Sequence, residues 1–453
     1  MRLEYREQFT KSNINNNTMK KVSFYTLGCK LNQAETAILA EQFERGGYQL
    51  VPFGEQVDIC VINTCTVTVK SDYRCRQMIR KAKRISPSAK IAVVGCYAQL
   101  SPEKIQNIDG VDIILGSDKK FDLLEIINKN DKINQPLFLP STNESFVSPG
   151  AGNFWDHTRA FLKIQDGCDS SCSYCTVPLA RGKSRSDSIK HIVASAKELV
   201  QRGHQEIVLT GVHIGCYGKD LKPSKNLLNV LKELESIPDL KRIRLSSLEP
   251  VEIDDALLQW IAKSENICHH FHVPLQSGDD AILTRMNRNY DSKIYMEVIN
   301  RLKEMIPDCG LGTDLIVGFP GETEQQFQNT LKLVEQLPFT YLHVFSFSPR
   351  AGTTAARFSE QINPEEIKRR SEILRALGRY KKESFYNSLA GQKLKVLWEE
   401  KEHNDWMFGF ADNYARVRTK ANPDFMNKIC SLEIVGAEQD FVQGRIIENW
   451  EIG

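Results

Sequence analysis

Cys168, Cys172 and Cys175 stand together on one short stretch, Gly167-Cys168-Asp169-Ser170-Ser171-Cys172-Ser173-Tyr174-Cys175. Three soft thiolates at Cys-x3-Cys-x2-Cys spacing suit iron-sulfur iron or zinc. A zinc knuckle ordinarily shows two close pairs or a nearby His, and no fourth ligand lies close in sequence here, so one metal position stays open. An open iron can bind a cofactor. The apolar run that ends at Gly167 reads as a strand, which puts the three thiols at the carboxyl edge of a sheet, where ligand sites of α/β folds lie.

A second set of thiols repeats this placement. Cys29, Cys65 and Cys96 each follow an apolar run, at 22–27, 58–62 and 91–94, with helical segments between. Their intervals are close to the roughly 30 residues that one βαβ unit takes, so parallel strands would bring all three to the same sheet edge. They lie in polar loop contexts, Leu-Gly-Cys-Lys-Leu-Asn, Asn-Thr-Cys-Thr and Gly-Cys-Tyr-Ala-Gln, whereas Cys60, inside Ile59-Cys60-Val61-Ile62, reads as packing. Spacing alone leaves a second metal site and three unrelated loop thiols equally open.

The elements that must position these residues fit an α/β multidomain chain. With 453 residues there is room for about three domains. A formal net charge of +2 excludes a broad positive field, so any nucleic-acid contact must rest on local patches. Twelve Cys are too sparse for a small disulfide scaffold, and no signal peptide or long apolar run is present, so the expected setting is reducing cytoplasm without a membrane. Residues 1–20, with Asn13-Ile14-Asn15-Asn16-Asn17, carry no period and read as a disordered lead. An amino-terminal parallel βαβ domain is expected over 21–130. A linker rich in Asn, Pro, Ser and Gly follows over 131–153. Over 154–388, the run before Cys168 and those at 206–211, 242–247, 271–275, 312–318 and 342–347 make six strands separated by helices. A basic helix at 364–389 covers them. Over 389–453 the pattern changes to five short strands, at 394–398, 406–411, 414–419, 428–434 and 441–446, with a turn at Asp412-Asn413. That pattern suggests a small closed all-β barrel of the kind that binds single-stranded nucleic acid.

Three basic features could serve such a contact. One helix carries Arg74, Arg76, Arg80, Lys81, Lys83 and Arg84, a second carries Lys368 to Lys382, and Arg416, Arg418 and Lys420 alternate on one strand. A charge run is ordinarily a solvated face. The first begins just beyond Cys65, which makes phosphate contact the sharper alternative there. Acidic residues slightly outnumber basic ones in the last segment, which argues against a general affinity of that barrel for RNA. Cys75 reads as incidental, and His269, His270 and His272 as sheet residues or cover. Asp314 reads either as a polar active-site group or as a solvated hydrogen-bond partner.

The Cys168-Cys172-Cys175 triad, with aromatic Tyr174 just before its last Cys, resembles the radical S-adenosylmethionine (SAM) superfamily. The resemblance implies that Cys168, Cys172 and Cys175 hold a 4Fe-4S cluster whose fourth iron chelates SAM. Reduction would then release a 5′-deoxyadenosyl radical able to take hydrogen from an unactivated carbon. It also implies a partial (β/α)6 barrel. The strand-end sequences Thr210-Gly211-Val212-His213, Ser246-Ser247-Leu248-Glu249-Pro250, Pro274-Leu275-Gln276-Ser277-Gly278 and Val317-Gly318-Phe319-Pro320-Gly321-Glu322 follow the order of that superfamily's SAM-contacting motifs. On this likeness Gly211, Glu249 and Gln276 are expected cofactor contacts. The contexts of Cys29, Cys65 and Cys96 are similar to the amino-terminal domain of the methylthiotransferases, where such Cys bind an auxiliary 4Fe-4S cluster. The terminal segment resembles the RNA-associated TRAM domain.

The resemblance covers nearly all of the chain after Met19. Thr26-Leu27-Gly28-Cys29-Lys30-Leu31-Asn32-Gln33 and Asn63-Thr64-Cys65-Thr66-Val67-Thr68 are most similar to the branch that attaches a methylthio group to C2 of N6-threonylcarbamoyladenosine beside the anticodon of tRNA. Branches acting on isopentenyladenosine tRNA or on a ribosomal protein are the runners-up. From another class, a nonenzymatic RNA-binding protein with structural metal is the alternative that open-site triads argue against. The implied partners are tRNA and an external electron donor, and the sequence names no sulfur donor. On this reading Cys172→Ala abolishes 5′-deoxyadenosine production after anaerobic reconstitution and Cys60→Ala does not. Normal SAM cleavage by Cys172→Ala, followed by chromatography, would sink the assignment.

Overall fold

The computed structural model describes residues 19–129, 136–152, 158–403 and 405–447. All but the last two residues of the expected lead lie outside these spans. Strands β1 (Lys21–Thr26), β2 (Gln49–Leu50), β3 (Ile59–Thr64), β4 (Lys90–Gly95), β5 (Ile113–Leu115) and β6 (Leu137–Leu139) form one parallel sheet in the order β2-β1-β3-β4-β5-β6. Strict alternation along β3 explains its two faces. Ile59 and Val61 pack with Ile38, Leu39 and Phe43 of helix Lys30–Arg45 on one side. Cys60 and Ile62 pack with Cys75 and Ile79 of helix Val69–Ile85 on the other. A sheet covered on both faces needs such unbroken apolar strands. Cys60 and Cys75 are thus core residues, as expected. The sixth strand is a departure from expectation, because Leu137–Leu139 falls inside the expected linker. Its short apolar run sits between Pro136 and Pro140, and at the sheet edge the missing proline N–H groups cost no ladder bond.

The central region carries two three-stranded parallel sheets. β7 (Ala160–Lys163) pairs with β10 (Glu206–Thr210) and β10 with β11 (Arg242–Leu245), while β12 (His270–His272), β13 (Gly310–Val317) and β14 (Tyr341–Ser346) form the second sheet. An isolated parallel bridge, Ile243 to Ile267, connects the two sets. One hydrophobic core joins both sheets to the helices between them. Helices Ile189–Gln201, Leu227–Glu235, Asp255–Lys263, Ser292–Met305 and Glu324–Gln336 are each capped by a Ser, Asn, Asp or Thr side chain that accepts from a first-turn N–H. The six-strand partial barrel expected from the sequence is therefore present.

Between β7 and β10 lies a small clamp. β8 (Gln165–Asp166) pairs antiparallel with β9 (Arg185–Ser186), closing the base of the loop that carries Cys168, Cys172 and Cys175. Gly167 turns out of β8 with φ +73°, and a Cβ there would lie 1.9 Å from the Lys183 carbonyl oxygen, so only glycine lets the two arms meet.

The carboxyl-terminal strands β15 (Lys393–His403), β16 (Trp406–Ala411), β17 (Arg416–Lys420), β18 (Ile429–Ala437) and β19 (Val442–Ile446) close into a barrel ordered β15-β16-β17-β19-β18 around a fully buried Trp398. Two arginines of β11 fasten it to the central sheet. Arg242 donates to the carbonyls of Phe410 and Lys395, at 3.0 and 2.6 Å. Arg244 donates to those of Asp412 and Ala411, at 2.8 and 3.0 Å, while Glu206 neutralises it from β10.

Helix Pro364–Ser388 lies along β14 and runs into the barrel. Much of its positive charge is spent inside the fold. Arg369 and Arg370 pair with Glu366, Glu324 and Glu322, Lys382 pairs with Asp440, and Lys381 donates to the carbonyls of Glu335 and Leu337. Among the described residues no helix is long and apolar enough to cross a membrane.

The amino-terminal and central sheets meet across a buried ionic cluster. Glu35 of helix Lys30–Arg45 receives Arg181 through both carboxylate oxygens, at 2.9 Å each, together with Lys163 and Lys120. Asp166 completes the cluster with contacts to Arg181 at 2.9 Å and Lys163 at 2.7 Å. Burial acts to raise Glu35, but the three cations outweigh it and hold its carboxyl well below the usual range. Replacing Glu35 by Leu leaves three buried cations facing Asp166 alone, and breaking such a pair costs about 3–5 kcal/mol. The urea midpoint, followed by circular dichroism, should fall markedly for Glu35→Leu and stay put for Glu125→Leu, whose partner Lys129 is solvent-exposed.

Candidate metal and cofactor sites

Each thiol triad converges at the carboxyl ends of its strands. Cys29 follows β1, Cys65 follows β3, and Cys96 opens the short helix after β4. Gly28, with φ +113°, allows the first two loops to touch, since a Cβ there would lie 2.7 Å from the Cys65 Cβ. All three Cys line one cavity of about 570 Å³. Cys168, Cys172 and Cys175 line another of about 720 Å³.

The groups around the sulfurs test whether the sites suit an anionic thiolate-bound cluster. N–H donors point at the sulfurs of the second triad: Ser170 N to Cys168 Sγ at 3.4 Å, Val177 N to Cys175 Sγ at 3.4 Å and Arg288 Nη1 to Cys172 Sγ at 3.0 Å. The Nδ1 atom of His213 lies 3.5 Å from Cys168 Sγ, and its Nε2 pairs with Glu252. At the first triad, Arg181 Nε donates to Cys96 Sγ at 3.3 Å. The buried cluster to which Arg181 belongs has three cations, Arg181, Lys120 and Lys163, against the carboxylates of Glu35 and Asp166. One positive charge is left over beside Cys96. Sulfur donors surrounded by hydrogen-bond donors and spare positive charge fit iron-sulfur clusters at both places. Burial pushes the Cys65 and Cys175 thiols up to about 12, so metal binding must release their protons. At Cys168 the effect of burial is outweighed by His213 and the Ser170 N–H, and its pKa lies below the usual value.

A third cavity, of about 200 Å³, adjoins the two sites, lined by Tyr174, Cys175, Gln276, Asp314 and Phe345 among others. It shares Cys175 with the larger cavity, and Val67, Val177, Asp314 and Phe345 with the one holding Cys29. The three cavities are therefore neighbours, with the middle one sharing walls with each triad's cavity.

The expected SAM contacts divide among these cavities. Gln276, at φ +67°, lines the middle cavity beside Cys175. Gly211 lines the cavity of Cys29, Cys65 and Cys96. Glu249 pairs with Arg288, the same side chain that donates to Cys172 Sγ. Asp314 lines two of the cavities, fixed by His272 Nε2 at 2.9 Å and His343 Nδ1 at 3.2 Å. Burial would raise its pKa, but the two histidines outweigh it and hold the carboxyl well below the usual range. His272 is buried on β12 as a sheet residue and at the same time forms part of the cavity wall, while His270 stacks on Tyr414.

Several lining residues escaped the sequence reading. Arg181, which lines the cavity of Cys29, and Arg288, which donates to Cys172 Sγ, act through contacts with residues far away in the chain and no local pattern marks them, whereas His213 closes the strand-end sequence Thr210-Gly211-Val212-His213. Tyr414 reaches the cavity of the first triad from the turn between β16 and β17, at φ +70°. Lys30 was within reach of sequence reasoning because it follows Cys29. Its ammonium lines the same cavity, and burial draws its pKa below the usual range.

Residues 162–334 match the Radical SAM superfamily, and residues 21–116 match a family described as uncharacterized protein family UPF0004. The radical S-adenosylmethionine methyltransferase TsrM from Kitasatospora setae, solved with cobalamin and a 4Fe-4S cluster bound, shares the fold. The TM-score is 0.53 at 14% identity, over 73% of this chain and 75% of that one. The central sheets thus define a radical SAM domain. The chain is 37% identical, over 95% of its own length and 97% of the relative's, to the threonylcarbamoyladenosine tRNA methylthiotransferase MtaB of Bacillus subtilis (strain 168). It is 31% identical, over 95% of both chains, to the tRNA-2-methylthio-N(6)-dimethylallyladenosine synthase of Clostridium botulinum (strain Langeland). The chain belongs to the methylthiotransferase family of radical SAM enzymes.

The separation of the triads makes their roles divisible. Cys65→Ala should retain SAM cleavage yet form no methylthiolated product, with its iron content falling to about half of the roughly eight atoms of two 4Fe-4S clusters. Unchanged iron and normal product formation would show that Cys65 holds no second cluster.

Proposed function

We propose that this enzyme converts N6-threonylcarbamoyladenosine beside the anticodon of tRNA to its 2-methylthio derivative. The observation that carries this reading is the full-length similarity to the Bacillus subtilis protein in a chain whose two thiol triads open on neighbouring cavities. Cys168, Cys172 and Cys175 hold the 4Fe-4S cluster that binds SAM, and Cys29, Cys65 and Cys96 hold the auxiliary one. When bound, the clusters and SAM supply hydrogen abstraction at C2 of the base and the methylthio group that replaces the hydrogen. An aromatic C–H is too unreactive for acid-base chemistry, so the protein's task is to bind, orient and exclude water.

Gln276 and the Glu249–Arg288 pair orient SAM beside Cys168, Cys172 and Cys175, and Gly211 leaves room for the ligand to pass toward Cys29, Cys65 and Cys96. Asp314, locked by two histidines, stands where the cavities join and presents a fixed acceptor to the reacting base. Val67 and Phe345 are exposed apolar walls at the same junction, suited to the faces of a nucleobase. The work divides among an auxiliary-cluster domain at 21–130, the radical SAM domain at 154–388 and an RNA-gripping barrel at 389–453. An external electron donor feeds the clusters, and a tRNA substrate places the reaction in the cytoplasm.

On the RNA side, the surface differs from expectation. Helix Val69–Ile85 keeps Lys70 and Arg74 exposed in its first turns, the end that follows Cys65, with Arg80, Lys81 and Arg84 exposed toward its far end, whereas Arg418 pairs with Glu438 and the helix Pro364–Ser388 pairs Arg370 with Glu322 and Lys382 with Asp440. The helix beside Cys65 is therefore the strongest phosphate contact. Lys70→Ala combined with Arg74→Ala should weaken tRNA binding and lower the slope of log Kd against log salt by about one per lost contact.

The decisive test is nucleoside mass spectrometry on tRNAs incubated with reconstituted enzyme. The threonylcarbamoyl tRNA should gain the methylthio group. Modification of an isopentenyladenosine tRNA in its place would favour the activity named for the Clostridium botulinum relative.

A further inference from the structure

Among the described residues most buried cations come with carboxylates, and Arg185 is held instead by the carbonyls of Ser145, Arg181 and Lys183. Lys120, Lys163 and Arg181 share Glu35 and Asp166, Arg244 has Glu206, Arg288 has Glu249, Arg350 has Asp72 and Arg370 has Glu322. Each pairing offsets the cost of taking a charge out of water. Lys30, which is partly buried, has no carboxylate partner among the described residues. Its side chain lines the cavity of Cys29, Cys65 and Cys96, yet among the described residues its direct contact is the Tyr414 ring, with Nζ 5.8 Å from the ring centroid. Its other charged neighbours include the cations Arg159 and Arg244, and Glu206 is already taken by Arg244. A cation left unpaired in a cavity is a prepared seat for an anionic group brought by the substrate.

Its position says which group. The methylthio acceptor is C2 of the base, which must reach the triad that includes Cys29, the residue before Lys30. On an adenine ring, C2 and the carbon bearing N6 both flank N1, so a substituent on N6 lies beside a C2 so placed. The threonylcarbamoyl substituent ends in a carboxylate, and an isopentenyl substituent carries no charge. Resting on the substrate reading above, we infer that Lys30 is a specificity-determining residue that binds the carboxylate of the threonylcarbamoyl group. The Tyr414 ring, carried in by the terminal barrel, closes the cavity beside it. A seat for a charged group discriminates strongly, because an uncharged substrate leaves the ammonium unpaired.

The test compares anticodon stem-loops bearing the free threonylcarbamoyl acid with the same stem-loops bearing its methyl ester. Reconstituted wild type and the variants Lys30→Met and Lys30→Arg are used, with Kd from fluorescence anisotropy and kcat/KM from product formation. Iron content equal to wild type certifies each variant as folded and loaded. For wild type, esterification should weaken kcat/KM about 10- to 100-fold, the range of one charge-assisted contact in a partly desolvated site. Lys30→Met should show the same loss on the acid and little further loss on the ester, and Lys30→Arg should recover most of the discrimination. The Kd values should move in the same sense. Equal treatment of acid and ester by wild type, or undiminished preference for the acid in Lys30→Met, overturns the inference. A wild type inert toward the acid stem-loop but active on an isopentenyladenosine one overturns the substrate reading and the inference with it.

Discussion

The interaction on which the rest depends is the bidentate contact between Glu35 and Arg181. Glu35 belongs to the helix after Cys29, and Arg181 to the short helix that ends the second Cys loop. Their contact ties together the two domains that carry the thiol triads. Because Arg181 also donates to Cys96 Sγ and to Asn32 Oδ1, the same guanidinium touches the first triad directly. A second tie, Arg350 to Asp72 at 2.7 Å, prevents rotation about the first. Hydrophobic burial would hold the domains together without fixing their angle. A planar, forked guanidinium has few acceptable geometries and so sets direction as well as contact.

That fixed angle turns two separate sheet edges into one workspace. Parallel sheets present their functional loops at the carboxyl ends of the strands, and here two such ends face each other. The terminal barrel adds a third wall through Arg242 and Arg244, which place the β16–β17 turn over the central sheet and Tyr414 beside Lys30. Radical chemistry needs a site closed to water and other hydrogen donors, and walls drawn from three domains can surround one base.

Much of this design was legible in the residues. Soft ligands at short spacing after a strand announce themselves, as do β/α repeats and a change of period near residue 390. The linker reading missed Leu137–Leu139 because a three-residue apolar run between two prolines carries too little signal to separate an edge strand from an extended connection. The helix at 364–389 read as a free basic surface because the acidic partners of Arg369, Arg370 and Lys382 include residues far away in sequence, at Glu324, Glu322 and Asp440. Charge is visible in a sequence, but its neutralisation is not.

By itself the sequence determined the soft-ligand chemistry of the Cys168-Cys172-Cys175 loop, the parallel βαβ order and the presence of a small terminal barrel, because each of these follows from local spacing and periodicity, whereas the spacing of Cys29, Cys65 and Cys96 left their role open. Only the tertiary structure decided which triad lies next to which wall, that Asp314 is gripped by two histidines, and that Lys30 has no carboxylate partner among the described residues. Those outcomes depend on pairings between residues a hundred or more positions apart for Glu35 with Arg181 and for Lys30 with Tyr414. Such pairings are chosen by the cost of burying charge, which no local pattern records.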